Sequence, residues 1–219
     1  MQDIKTYSGA ANDLYPGGLA QWRLESNTIE IISKEKVRLS IQVITDNVIR
    51  FRYTTEDRFP ADFSYAIEPE FEGGFEHLAC EEEEHHLVIM TGSLIIRLLK
   101  MDLRVQITDL SGIIVLEDEK GFHWEAHPSF GGNIVKMSKL VQTGEHYFGL
   151  GDKTTHMNMR GKRFQNWASD EYGFLKGTDP LYKAIPFYYG LHDHQAYGVF
   201  FDNTFRSFFD FASERKTAS

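Results

Sequence analysis

The chain has 219 residues, of which 42% are apolar and 25% are charged; these values are typical of a soluble globular protein and exclude a disordered one. Its net charge of −9 argues against a nucleic-acid partner, because binding a phosphate backbone needs a basic face. A single cysteine excludes an internal disulfide framework, and no stretch approaches the run of about 20 apolar residues that a membrane-spanning helix needs.

The clearest early element is a predicted hairpin. Polar and apolar residues alternate without a break over residues 36–43. Over residues 48–53, Ile49, Phe51 and Tyr53 alternate with a mostly polar set, Val48, Arg50 and Arg52. A period of two places successive side chains on opposite faces of a strand. Thr45, Asp46 and Asn47 supply turn chemistry between the two runs. The pattern predicts two antiparallel strands with one apolar face.

Further short runs rich in β-branched or aromatic residues follow the same pattern. Gly, Asp and Ser separate them at intervals of about ten residues, which indicates a sandwich of many short strands. The acidic run 81–84 is expected to be a solvated loop or a strand edge, and Cys80 a small apolar residue at a strand end. No convincing amphipathic helix is present. The predicted strands span residues 28–32, 63–67, 87–90, 94–99, 103–107, 113–116, 185–191, 197–201 and 206–211.

Residues 160–183 are predicted to form a long aromatic loop. They are rich in Gly, Asp, Lys and Tyr, without clean alternation. Loops of this length are usually functional or disordered, and disordered segments are poor in aromatic residues. Within the loop, Trp167, Asp170, Tyr172 and Phe174 combine a carboxylate with rings that could cover a sugar. Composition alone, however, favours a loop that uses these rings for packing.

Other candidate chemistry is weak. Gly149 and Gly151 begin a dinucleotide fingerprint, but Thr154 replaces its third glycine, and a turn is the better interpretation. His192 and His194 lack further ligands at metal spacing, so we expect both at the surface. The sequence therefore predicts no metal site and no cofactor. Six carboxylates could serve glycoside hydrolysis, but spacing selects no pair among them: Asp152, Asp170, Asp179, Asp193, Asp202 and Asp210.

Four blocks in residues 144–211 resemble the front end of the family 31 glycoside hydrolases, the α-glucosidase and α-xylosidase group. They read GEHYFGLGDKT, RFQNWASDEYGF, DPLYKAIPFYYGLH and AYGVFFDNTFRSFFDF. The resemblance implies an antiparallel β-sandwich of the galactose-mutarotase type. It also implies that residues 1–219 are the N-terminal domain of a larger enzyme, whose catalytic (β/α)8 barrel would follow this chain.

The resemblance also implies roles for particular residues. The Asp of the NWxxD-like loop lines the sugar cleft in this family, and it corresponds to Asp170; Trp167 gains less support. Ala168 and Ser169 depart from the bulkier or charged residues of many relatives, which leaves the specificity of the leaving-group site open. The block DPLYKAIPF is interpreted as scaffold. The nucleophile and the acid/base of the retaining mechanism belong to the barrel, so no catalytic residue is assigned in this chain.

These implications give several expectations. The partners are an α-linked oligosaccharide or glycoside and the chain's own barrel, with neither nucleic acid nor membrane. The chain alone is expected to be inactive, and to self-associate through the surface that docks on the barrel. The N-terminus lacks the basic start and apolar core of a secretory signal, which suggests the cytoplasm unless a signal was trimmed.

Two alternatives stay open. The first is a stand-alone carbohydrate-binding or interaction sandwich without enzymatic activity. The second is a mutarotase-like epimerase, which would need a His and a Glu converging on one sheet face. The sequence assigns no such pair.

Overall fold

The computed structural model describes residues 12–213, apart from 69, 72 and 130. Within this part of the chain the regular elements are fifteen strands, and no helix could cross a membrane. The strands fall into two compact units. One contains the residues up to Phe63 together with Ile67–Leu140, and the other contains Ser64–Ala66 together with the residues from Val141 on. Residues 1–11, on which the expectation about localisation partly rests, lie outside the described residues.

The first unit contains two antiparallel sheets. The four-stranded sheet has the order β1-β2-β3-β4, and the six-stranded sheet has the order β10-β9-β8-β7-β6-β5. The strands of the first sheet are β1 (Leu19–Glu25), β2 (Thr28–Ser33), β3 (Arg38–Thr45) and β4 (Val48–Thr54). Those of the second are β5 (Leu78–Glu82), β6 (His86–Thr91), β7 (Leu94–Leu99), β8 (Val105–Asp109), β9 (Ile114–Ala126) and β10 (Asn133–Lys139).

Side-chain alternation explains how these sheets make a core. In β3, Leu39, Ile41 and Val43 are fully buried while the residues between them are half-buried. Burying one such side chain stabilises the fold by about 1.5–3 kcal/mol. The inward residues of both sheets join in a single cluster, as in a sandwich. Its buried members are Ile29, Ile31, Leu39, Ile41, Leu87, Ile89, Ile96, Leu98, Leu103, Val105 and Ile107.

The second unit is smaller and its core is aromatic. A three-stranded sheet has the order β11-β13-β14, and β12 pairs with β15, all antiparallel. The strands are β11 (His146–Gly151), β12 (Arg163–Asn166), β13 (Ala184–His192), β14 (Gln195–Phe200) and β15 (Ser207–Asp210). The buried cluster consists of Tyr147, Leu150, Met159, Phe164, Tyr188, Phe209 and Phe211.

The predicted fold class is confirmed: the described chain is all-β, its sheets are antiparallel, and two of them pack as a sandwich. The hairpin of β3 and β4 is confirmed, as is the turn between them. The acidic run 81–84 ends β5 at the edge of its sheet, as expected. The expectation that residues 1–219 form one leading domain stays a prediction.

Three local predictions are wrong. Residues 63–67 form no strand. Gly149 and Gly151 lie in β11, around an irregularity in its pairing with β13, rather than in a turn. The predicted loop 160–183 contains a short strand, β12, so that the irregular segment begins only after Asn166.

Candidate functional site

The Asp170 loop comprises residues 167–178, between β12 and Asp179. Its base is held by Lys153, which follows β11. The Lys153 Nζ donates to Asp179 Oδ1 and to the Gln165 carbonyl oxygen, each at 2.7 Å, and the Lys153 side chain is only 3% exposed. The other Asp179 oxygen accepts the Gln165 backbone N–H. One ion pair, with Lys153 buried and Asp179 partly exposed, therefore joins the two ends of the loop.

The C-terminal part of the loop is a tight turn anchored on Thr154. The Gly177 N–H donates to Thr154 Oγ1 at 2.9 Å, and that hydroxyl donates to the Thr178 carbonyl at 2.9 Å. Leu175 and Thr178 also exchange hydrogen bonds of 3.0 Å. The positive φ of 89° at Gly177 lies in the left-handed region, where glycine meets no Cβ penalty.

The aromatic residues of the loop differ in how they are used. The Trp167 ring is 41% exposed and carries the Arg206 guanidinium 4.9 Å above its centroid. Phe174, half exposed, packs edge-on against Tyr182 with the ring centroids 6.1 Å apart. Tyr172 projects fully into solvent. The predicted packing role thus describes Phe174, whereas Tyr172 makes no such contact among the described residues.

Asp170 is exposed, and within the described part of the chain its carboxylate has no hydrogen-bond or ion-pair partner. Its neighbours are held: the Ser169 N–H donates to the Leu181 carbonyl at 2.9 Å, and the Ser169 hydroxyl donates to Glu171 at 3.3 Å. The carboxylate therefore sits on fixed backbone with both oxygens available to accept hydrogen bonds.

An open groove of about 700 Å³ borders this loop. Leu175, Leu181 and the Phe174–Tyr182 pair give it apolar surface, and the segment after β11 gives it polar groups: Asp152, Thr154, Thr155 and His156. An apolar wall with a few polar groups is typical of small-molecule sites. Sequence reasoning missed the groove because 152–156 and 174–182 are far apart in the sequence and are brought together by hydrogen bonds of Lys153 and Thr154.

The other predicted carboxylates do not assemble into a catalytic pair. Four of the six are engaged by neighbouring groups: Asp179 by Lys153, Asp193 by His192, Asp202 by Ser64 and Asp210 by Arg163. For Asp210, burial raises the pKa, but the Ser213 N–H and the Arg163 guanidinium together lower it by more. The pKa therefore lies below its usual value.

The expectation that both histidines lie at the surface is wrong for His192. Its side chain is 0% exposed and its Nδ1 lies 3.3 Å from Asp193, while His194 is exposed. His192 shares the inner face of β13 with Tyr188 and Gly190, because all three have even numbers. Among the described residues no group of His, Cys, Asp and Glu is suited to hold a metal ion.

A His and a Glu do converge on one sheet face. His123 and Glu125 lie two residues apart on β9 and are 3% and 8% exposed. Lys136 bridges Glu125 and Asp13 at 2.8 and 2.7 Å, and the His123 Nδ1 is 3.0 Å from the Gly121 carbonyl. Because these groups are buried and paired with one another, the arrangement favours a structural ion cluster over an epimerase site.

A second buried carboxylate, Glu145, organises the core of the smaller unit. It is 1% exposed and accepts hydrogen bonds from the Tyr147 hydroxyl and the Gln142 N–H, both 2.7 Å, and from the Tyr197 hydroxyl. Burial, reinforced by Glu145, raises the pKa of both tyrosines well above the usual value. Both phenols therefore stay protonated, as donors to the carboxylate.

The all-β chain, with antiparallel sheets of which two pack as a sandwich, has the architecture of a galactose mutarotase-like β-domain. The model of the family described as "Glycosyl hydrolase 31 N-terminal galactose mutarotase-like domain" matches residues 38–210, and the chain belongs to this family. The resemblance seen in the sequence is thereby confirmed, and the family's hydrolases act on glycosidic bonds.

Individual relatives agree. Alpha-glucosidase 2 from Bacillus thermoamyloliquefaciens is 28% identical over 177 residues, which cover 79% of this chain and 21% of that protein. An alpha-glucosidase from Saccharolobus solfataricus is 34% identical over 83 residues, 38% of this chain and 12% of that protein. The solved GH31 dextranase of Flavobacterium johnsoniae, complexed with isomaltotriose, matches with a TM-score of 0.80 and 29% identity over 92% of this chain and 24% of its own. The chain thus spans less than a quarter of the length of these relatives.

Proposed function

We propose that this chain is the non-catalytic leading domain of a retaining α-glycosidase, and that it contributes the Asp170 loop to the substrate cleft. Family membership supports the enzyme class. The names of the relatives, two alpha-glucosidases and a dextranase in complex with isomaltotriose, support an α-linked glucosyl substrate. The short span of the match supports a following catalytic domain.

The chemistry is expected to lie outside the chain. Glycoside hydrolysis with retention uses two carboxyl groups about 5–5.5 Å apart on either side of the scissile bond. Of the candidate carboxylates, Asp179 and Asp210 are already ion-paired with Lys153 and Arg163, and Asp170 has no second candidate carboxylate in its loop. We therefore assign neither catalytic role to this chain, and expect the isolated chain to hydrolyse nothing.

The observation that carries the proposal is the unpaired, exposed carboxylate of Asp170 on a loop fixed at its base. A carboxylate can accept hydrogens from two adjacent sugar hydroxyls, one at each oxygen. Tyr172, Trp167 and Phe174 offer rings in the same loop, and a ring can cover the apolar face of a pyranose. Asp170 would thus orient the substrate while the barrel cleaves it.

The smaller unit also offers a surface for the barrel. The outer face of β13 exposes Ile185, Tyr189 and Leu191, each by 40% or more, and Phe200 on β14 continues it. Contiguous apolar surface of this kind marks an interaction site. We expect the barrel to cover it, and the isolated chain to self-associate through it; a strictly monomeric chain would count against this docking face.

The test compares Asp170→Ala with wild type in the full-length protein encoded by the reading frame that contains this chain. Substrates are 4-nitrophenyl α-glucoside and isomaltotriose. Losing a hydrogen bond to a charged group costs about 1.5–3 kcal/mol, so kcat/KM should fall roughly ten- to a hundredfold, mainly through KM. Asp57→Ala, at an exposed bend of the larger unit, is the matched control and should leave KM unchanged.

Two results would overturn the proposal. Turnover by the isolated 219-residue chain would place the chemistry inside it. A reading frame without a barrel would leave a carbohydrate-binding sandwich as the better account. The aromatic groove would then be the surface to test, by titration with isomaltotriose.

A further inference from the structure

The Lys153 side chain is buried at the base of a loop that is itself mostly exposed. The Lys153 side chain is only 3% exposed, and its ammonium group lies 5.7 Å from the centroid of the Phe164 ring. Taking an ammonium group out of water is unfavourable unless good acceptors surround it. Lys153 has two at 2.7 Å, the Asp179 carboxylate and the Gln165 carbonyl.

The two acceptors of Lys153 lie on opposite ends of the Asp170 loop. Gln165 lies in β12, one residue before its end, and Asp179 closes the Asp170 loop on the other side. A single Nζ atom therefore fixes the separation of the two loop ends. Asp179 strengthens the closure, because its second oxygen accepts the Gln165 backbone N–H.

The next residue along the chain extends the same anchorage. Thr154 bonds Gly177 and Thr178 at 2.9 Å, so two consecutive residues after β11 hold the base of the loop and its C-terminal turn. β11 itself is hydrogen-bonded to β13 in the sheet. Lys153 and Thr154 thus hold the base of the loop and its C-terminal turn. The backbone on either side of Asp170 is held by two further bonds, from the Ser169 N–H to the Leu181 carbonyl and from the Tyr182 hydroxyl to the Glu171 carbonyl.

We propose that Lys153 and Asp179 are positioning residues, a clamp that sets where Asp170 stands in the sugar cleft. This inference rests on the proposed function for its effect on substrate, but the clamp itself is a physical arrangement that can be measured alone. A carboxylate that is displaced from its position loses its hydrogen bonds to the substrate, so moving Asp170 should weaken substrate binding as removing it does. Lys153 and Asp179 are not proposed to contact the substrate; they are expected to affect substrate binding through the position of Asp170.

The variants are Lys153→Met, Asp179→Asn and the double variant in the full-length protein. Each single change leaves a charge or an acceptor unpaired at a buried site, which destabilises the fold. The double variant removes both charges, and the amide that replaces the Asp179 carboxylate keeps an oxygen that can accept the Gln165 N–H. The double variant should therefore unfold closer to wild type than either single variant, while the loop, without the bridge through the Lys153 Nζ, opens more readily.

Asp210→Asn is the matched control. Asp210 likewise accepts from a cation, Arg163, and from a backbone N–H, that of Ser213, in the same unit. It links β12 to β15 and does not hold the loop ends. Its loss should thus affect the stability of the unit without releasing residues 167–178.

The first readout is backbone hydrogen exchange, which reports local opening independently of activity. In the double variant, amides of residues 167–178 should exchange faster, with those of β13 unchanged, whereas Asp210→Asn should not accelerate the loop. Equal exchange of the loop in wild type and double variant would overturn the clamp.

The second readout is a double-mutant comparison, since residues that act through one another are not additive. Alone, the double variant should raise KM with little change in kcat, by no more than the roughly ten- to hundredfold effect of Asp170→Ala, because it acts through Asp170. In an Asp170→Ala background the double variant should not raise KM further. If it raises KM there by the same factor as in wild type, the positioning role is overturned. If Asp170→Ala leaves KM unchanged, the proposed function fails, and the exchange rates still decide the clamp.

Discussion

Replacing Tyr197 by Phe is expected to destabilise the smaller unit by about 2 kcal/mol, because it removes one donor from a buried carboxylate. Glu145 is 1% exposed, and the Tyr197 hydroxyl is the donor that reaches its Oε1 atom. The other oxygen keeps the Tyr147 hydroxyl and the Gln142 N–H at 2.7 Å. Oε1 would therefore be left without a protein donor among the described residues.

The magnitude follows from what the substitution keeps. A hydrogen bond to a charged group contributes about 1.5–3 kcal/mol. Phe preserves the ring, so the edge contacts with Tyr188 and His192, at centroid distances of 6.4 and 5.9 Å, persist. No apolar cavity opens, and the loss should stay within the range for the hydrogen bond alone.

The assay is equilibrium urea unfolding, followed by near-ultraviolet circular dichroism of the aromatic core. Tyr189→Phe is the control: it is the same chemical change on β13, but its ring is 52% exposed on the outer face. Surface substitutions usually stay within about 0.5 kcal/mol. If the two variants unfold within that margin of each other, the buried network does not stabilise the unit as argued.

Two further predictions concern close packing and a thiol. Gly190→Ala should cost about 1–3 kcal/mol in the same assay, because a Cβ there would overlap the Tyr197 ring; Gly74→Ala, where the space is open, should cost far less. Burial raises the pKa of Cys80 to about 11, so iodoacetamide should react slowly at about pH 8 and faster as pH rises toward 11. The stabilising contribution of the neutral thiol is present below about pH 9 and is lost as pH rises through 11. A reaction rate that levels off at about pH 9 would contradict the raised pKa.

Strands with clean alternation are predictable from sequence. In β3 polar and apolar residues alternate, and the apolar ones are buried. The alternation in the sequence is therefore enough to identify the face that enters the core. The same reasoning applies to His192, which follows Tyr188 and Gly190 on the inner face of β13. The surface expectation is wrong because it treats the H-x-H pair as a loop edge and not as the continuation of that strand.

Other features depend on contacts that no local pattern reveals. Residues 63–67 alternate like a strand, but the Ser64 hydroxyl accepts the Ala66 N–H at 3.1 Å and donates to Asp202 at 2.8 Å. Such side-chain bonds compete with a ladder. Conversely, Gly149 looks like a turn residue, yet β13 passes so close that a Cβ would stand 2.6 Å from the Phe187 carbonyl.

The Asp170 loop shows most clearly what composition could not resolve. Its composition treats Trp167, Asp170, Tyr172 and Phe174 as equivalent candidates. The structure separates them: Trp167 carries Arg206 on its ring, and Phe174 rests on Tyr182. Of these four, only Asp170 and Tyr172 have no such partner in the described chain. Neither residue therefore has a packing role there. The proposed binding role of these two residues therefore rests on how the rest of the loop is occupied, which a count of aromatic and acidic residues cannot supply.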